Sequence, residues 1–259
     1  MKRVWIPLAA GLLMLLAGCG SSDSDSQPPA PSSSGTSGTI TVFAASSLTG
    51  AFTQIGDDFM ADHPGSKVVF QFGSSGDLAT SIVQGATADV FASAAPANMD
   101  AVIAAGDATA STNFVSNTAE IATPPGNPKG ISSLADLAGD DVRVALCVPT
   151  APCGALAQQL FAKAGVTVAP AASEPDVKTT LAVVQSGEVD AGIVYVTDVK
   201  AAGDGVTGIE IPASSNGVTE YPIATLTNSA NPTLAAAFVD YVRSDAGQQV
   251  LQDAGFQAP

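Results

Sequence analysis

Two serine pairs stand where this chain could do chemistry. "VFAASSLTGAF" (residues 42–52) carries Ser46 and Ser47, and "VVFQFGSSGDL" (residues 68–78) carries Ser74 and Ser75. In each, a strand-like run gives way to the pair, and a leucine (Leu48, Leu78) then opens a helix-like pattern. A helix N-terminus at that point offers unpaired N–H groups and the positive end of the helix dipole, which draw anions. A serine hydroxyl adds one more donor. The plainer alternative is that each serine caps its own helix. Two pairs after consecutive strands weigh toward a site. Against it stands the charge, with 9 Lys+Arg, 24 Asp+Glu and a net of −15.

Other chemistries are thinly supported. A serine hydrolase needs a base beside its nucleophile. The one histidine, His63, falls in "HPG", where turn chemistry explains it. "GSSG" lacks the glycine two positions either side of the serine that a nucleophile elbow needs. There is no phosphate-loop Gly-Lys-Ser/Thr. Asp57-Asp58 and Asp140-Asp141 fall on solvated helix or turn positions. One histidine and no CxxC leave little for a metal, and neither a metal nor a cofactor is expected. The acidity argues against nucleic acid as a partner.

The N-terminus reads as an address. Lys2 and Arg3 precede "VWIPLAAGLLMLLAG", an apolar run too short for a comfortable membrane span. It ends at "LAGC", which resembles a bacterial lipoprotein signal (residues 1–18) with Cys19 as the lipidated first residue. Residues 19–38, rich in Ser, Pro and Gly, read as a flexible tether. Acyl chains on Cys19 would hold an exported protein at the outer face of the cell membrane without spanning it. Loss of Lys2 and Arg3 with the signal makes the remainder more acidic still. Cys147 and Cys153 then form an even pair in an exported protein. A disulfide closing "CVPTAPC" is expected, two free thiols being the alternative.

Elements alternate along residues 39–259. "TITVFA", "SKVVFQF" and "ADVFASA" read as strands, each followed by a helical pattern: Leu48, Phe52, Ile55 and Phe59; then Leu78, Ile82 and Val83; then Met99, Val102 and Ile103. A second set begins after "SNTAEIATPPGNP". It holds "SSLADLAG" (helix), "DVRVALC" (strand), "GALAQQLFAKAG" and "VKTTLAVVQSG" (helices) and "DAGIVYV" (strand). "GIEIP" and "EYPIATL" are later strands, and two helices close the chain. Strand followed by helix, repeatedly, predicts an α/β fold in two halves, each a mostly parallel sheet flanked by helices.

"ITVFAASSLTGAF", "FGSSGDLATSIVQGATADVFASA", "CVPTAPCGALAQQLF", "DVKTTLAVVQSGEVDAGIVYVTD" and "EYPIATL", in that order, resemble the periplasmic molybdate-binding proteins of molybdate ABC transporters. The resemblance covers nearly all of the chain beyond the tether. It implies a two-lobed periplasmic-binding-protein fold that closes on molybdate or tungstate as a monomer and delivers the anion to a membrane permease. Another tetrahedral oxyanion, such as sulfate or phosphate, is the alternative. Carried over residue by residue, the ligand contacts are Ser47, Ser75, the amides of Cys153 and Val177, and Tyr195. Gly76 stands where such proteins often have a third serine, and Cys153 where they usually have alanine. The implied lobes are residues 39–120 with 225–259, and residues 121–224, with hinge crossings near 117–122 and 221–226. Neutral hydroxyls and amides would then hold the anion, and the acidic surface would act only at long range, screened beyond about 8–10 Å.

Overall fold

The first strand is apolar on both faces, and both are covered. In β1 (Gly38–Ala45), Ile40, Val42 and Ala44 are fully buried on one side, and Phe43 is buried on the other. Such a strand belongs in the middle of a sheet with helices on each face. The computed structural model describes residues 37–259; the signal, Cys19 and the tether up to residue 36 lie outside the described residues. β1 pairs in parallel with β2 (Ser66–Gly73) and with β3 (Val90–Ala92). The connections are α1 (Thr49–Asp62) and α2 (Ser75–Val83), and α3 (Pro96–Ala104) follows β3.

A long strand, β4 (Thr112–Thr123), leaves this lobe, and the second lobe builds on its far end. There follow β5 (Val144–Cys147), α4 (Pro152–Ala164), β6 (Ala172–Glu174), α5 (Val177–Gln185), β7 (Ala191–Tyr195), α6 (Val196–Ala202) and β8 (Thr207–Glu210). β5 pairs in parallel with β6 and β7. The chain returns through β9 (Val218–Thr225) and ends in α7 (Pro232–Arg243) and α8 (Asp245–Ala254). The strand order is β2-β1-β3-β9-β4-β7-β5-β6, with β8 beside β4. Parallel pairing thus fills the centre of each lobe, and the antiparallel pairs all involve β4 or β9.

β4 is the joint. Its first part pairs with β9 up to Thr118, and from Ala119 on it pairs with β7 and β8. Asn216 clamps the crossing, donating from Nδ2 to the Ala119 carbonyl at 2.8 Å. The second crossing lies earlier than residues 221–226: β9 is paired with β4 from Val218 and reaches β3 by Ile223. β4 carries no clear strand pattern in the sequence. Ser116 and Asn117 are buried within it, so its pattern shows no apolar run there. "SSLADLAG" forms one short 3₁₀ turn, Leu134–Ala138, rather than a helix.

Each lobe has its own core. In the second, Ile121, Val144, Leu160, Val184 and Ile193 pack together. In the first, Phe52, Phe59, Phe114 and Phe238 fill one face of the sheet, and Phe43, Leu78, Phe91 and Met99 the other. Leu234, Phe238, Val242 and Leu251 bring α7 and α8 onto the first-lobe core. Buried Asp89 pins the loop before α7: it accepts from Thr41 N at 2.7 Å, Ser229 Oγ at 2.6 Å and Ala230 N at 2.9 Å. Its donors are intramolecular, so it needs no ligand to explain it.

Candidate anion-binding site

Five parallel strands end facing one another, and a helix begins at each end. β1 runs into a 3₁₀ turn at Ser46–Leu48 and then α1. Ser74 is the N-cap of α2, Ala151 of α4, Asp176 of α5 and Tyr195 of α6. The first N–H groups of a helix have no acceptor within it. Several such termini converging on one point make a strongly anion-philic place without any cationic side chain. Pro152, at the first position of α4, lacks an N–H, so Cys153 carries the first amide there.

These termini line one small cavity. Ser46, Ser47, Ser74 and Ser75 face it from the first lobe; Cys153, Val177 and Tyr195 face it from the second. The enclosed space is far smaller than the about 300–1,000 Å³ of pockets for drug-sized ligands, so this cavity suits a small ion rather than a sugar or peptide. The lobes are closed around it: Ser75 and Tyr195 are each 1% exposed.

The hydroxyls are set up to donate inward. Ser75 Oγ accepts the Ala94 amide at 2.9 Å, which leaves its own proton free. Ser47 Oγ and Tyr221 Oη lie 2.9 Å apart. Asn117 Nδ2 makes a long 3.5 Å approach to Tyr221 Oη and a 2.8 Å bond to Thr197 Oγ1. With Asn117 donating to Tyr221, Tyr221 donates to Ser47, and the Ser47 proton is free to turn to the cavity. Two wall hydroxyls, Ser74 Oγ and Tyr195 Oη, are buried without a hydrogen-bond partner among the described residues. A buried unsatisfied hydroxyl costs about 1–3 kcal/mol, so each points to a group that would accept from it. Burial, above all, pushes the Tyr195 and Tyr221 hydroxyls well above their ordinary pKa, with Asp198 nearby adding to the effect. Both therefore stay neutral, and Tyr195 meets an anion as a donor.

No lysine or arginine lies on the wall. Lys178, one residue into α5 from Val177, is committed elsewhere: its Nζ pairs with buried Asp198 Oδ1 at 3.0 Å. Asp198 Oδ2 in turn accepts the Tyr195 amide at 3.1 Å, fixing that end of α6. Burial raises the Asp198 pKa, and Lys178 opposes the rise. The one acid on the wall, Asp176, turns Oδ1 back to cap Thr179 N at 3.0 Å.

Across the cleft the lobes touch through glycine. A Cβ on Gly76 would stand 2.4 Å from the Thr150 carbonyl oxygen of the other lobe. That loop, residues 148–152, is closed by a Cys147–Cys153 disulfide with Cα atoms 5.8 Å apart. Gly154 is equally constrained, since a Cβ there would meet the Val148 oxygen at 2.1 Å.

Likeness to known proteins agrees with this architecture. Residues 40–257 match the family of bacterial extracellular solute-binding proteins. The chain is 43% identical over 261 residues to the molybdate-binding protein ModA of Mycobacterium tuberculosis, covering 98% of this chain and 99% of that protein. It belongs to the bacterial extracellular solute-binding protein family. The fold is that of the periplasmic molybdate-binding protein of Azotobacter vinelandii, with TM-score 0.76 at 21% identity, 85% of this chain and 99% of that one being covered. The sulfate-binding protein SubI of Mycobacterium tuberculosis is similar at TM-score 0.74 and 20% identity, with 85% and 86% covered.

In this solute-binding protein, all five residues singled out from sequence line the same cavity: Ser47, Ser75, Cys153, Val177 and Tyr195. Ser46, Ser74, Ala94 and Asp176 share the wall without being among those five contacts. For Ser46 and Ser74 the signal is present in the sequence, each being the other half of a serine pair. His63 sits at the end of α1 with Nδ1 3.0 Å from the Phe59 carbonyl oxygen, outside the cavity wall. No helix among the described residues is long and apolar enough to cross a membrane.

Proposed function

We propose that this solute-binding protein captures molybdate, and its near-equivalent tungstate, between its lobes outside the cytoplasm and hands it to a molybdate ABC permease for import. The observation that carries this is a closed cavity, contributed by both lobes, whose wall presents hydroxyls and helix-start amides with no cationic side chain. Hydrogen bonds to a charged group contribute about 1.5–3 kcal/mol each. Several together offset much of the cost of dehydrating a dianion. Likeness to molybdate-binding proteins at up to 43% identity supports the choice of ion. The protein acts as a monomer, is anchored at the outer face of the membrane by lipid on Cys19, and needs no cofactor. The cavity wall holds no histidine to serve as a base, which speaks for a carrier rather than an enzyme.

Discrimination follows from rigidity. An ion smaller than the cage cannot reach donors on both lobes at once and leaves buried ones unpaired. Sulfate is the smaller tetrahedron. Phosphate near neutral pH also carries a proton, and Asp176 is the one carboxylate on the wall to accept it. Calorimetric titration with molybdate, tungstate, sulfate and phosphate is the test. One molybdate or tungstate per chain, bound more tightly than the other two, is expected; sulfate binding as tight or tighter overturns the assignment.

A further inference from the structure

We infer that the Cys147–Cys153 disulfide is a positioning element of the anion site, so that its formation and anion binding stabilise one another. The inference rests on the oxyanion reading above and adds to it a redox dependence.

The bridge sits where backbone precision is needed most. Cys147 ends β5, and Cys153 is the residue of α4 that carries its first amide at the cavity wall. The five residues between them hold the Thr150 carbonyl against Gly76 of the first lobe. The Cys147 sulfur also lies 3.3 Å from Thr180 Oγ1, fully buried on α5, whose first residue, Val177, supplies the neighbouring stretch of wall. One covalent link therefore fixes the α4 start, the lobe-to-lobe contact and, through Thr180, the α5 start. An amide donor cannot be replaced by a better side chain; its aim depends wholly on how the backbone is held. Without the link, residues 148–152 gain conformational freedom that must be lost again each time the lobes close on the ion.

Reduction consumes two electrons and two protons and yields two thiols. A trialkylphosphine supplies the electrons and leaves as its oxide, taking oxygen from water. If the disulfide raises anion affinity by some factor, saturation with the anion must favour the disulfide over the dithiol by the same factor. For a two-electron couple, tenfold corresponds to about 30 mV.

The test is calorimetry with molybdate on the purified protein, oxidised and then reduced by phosphine and desalted without air. At least tenfold weaker binding is expected on reduction, with the same loss in Cys147→Ala/Cys153→Ala. A redox titration of the wild-type disulfide against graded thiol–disulfide buffers, with and without molybdate, needs no variant to fold. Its midpoint is expected to fall by about 30 mV per tenfold. A bridge that served general stability alone would leave that midpoint where it is. Equal affinity in both redox states, with an unmoved midpoint, overturns the inference while leaving the oxyanion assignment intact. Failure of the oxidised protein to bind molybdate strikes the assignment itself.

Discussion

The two halves of the cavity solve the same problem with different parts. The first lobe offers side-chain hydroxyls, Ser46, Ser47, Ser74 and Ser75, at the ends of β1 and β2. The second offers mostly backbone, the starts of α4 and α5 at Cys153 and Val177, with Tyr195 as its one hydroxyl. A hydroxyl is carried by its residue type and can be deleted by changing it. An amide is carried by nearly every residue type, so what matters is whatever aims it. In the second lobe that is the disulfide, the Asp176 cap on Thr179, and Asp198 holding the Tyr195 amide. The first half should therefore fail by truncation and the second by displacement of the backbone.

The largest effect is expected where the halves meet. Gly76→Val places a side chain against the Thr150 carbonyl and opposes closure without touching a donor. Overpacking costs about 1–3 kcal/mol, so molybdate affinity should fall by up to about 100-fold, while the ligand-free melting temperature stays near wild type. Unchanged affinity would mean that closure is looser than the structure describes. Next, Ser75→Ala and Tyr195→Phe separate satisfied from unsatisfied hydroxyls. Each should weaken binding by about 10-fold or more, as loss of a hydrogen bond to a charged group does. Their ligand-free stabilities should diverge. Ser75→Ala strips the Ala94 amide of its acceptor and lowers stability. Tyr195→Phe removes a hydroxyl that has no partner and should leave stability equal or higher. A Tyr195→Phe protein that is markedly less stable would show that the hydroxyl already has a partner. The smallest effect belongs to Asp176→Asn. Asparagine caps a helix about as well as aspartate, so α5 should be kept while a negative charge leaves the wall. Molybdate should bind a few-fold more tightly, most visibly at low salt; weaker binding would show that the carboxylate aims the Val177 amide in a way asparagine cannot.

The same contrast explains what could be read from the chain alone. Paired serines after buried strands announce both a helix start and a donor, so the first half of the site was visible in residue types. Cys153 and Val177 carry no such mark; they came from resemblance to a family, and their shared place on the wall is a matter of geometry. The alternating strands and helices were legible because β1, β5 and β7 are apolar on both faces. β4 was not. As the joint between lobes it buries Ser116 and Asn117, which bond across to Gln257, Ala258 and Thr197 rather than filling a core. Asp198 and Lys178, likewise, carry no mark in the sequence, and only the fold brings them together beside the Tyr195 amide.

The central claim is that a cage with no cationic side chain, closed from both lobes, holds the anion despite an acidic protein. Molybdenum scatters anomalously, so crystals grown with molybdate locate the ion independently of any assumption about its donors. The account predicts one anomalous peak in this cavity, with oxygens about 2.7–3.2 Å from Ser47, Ser75 and Tyr195 hydroxyls and from the Cys153 and Val177 amides. Lys178 should remain on Asp198. A peak outside the cavity, or Lys178 drawn off Asp198 to neutralise the ion directly, would contradict it.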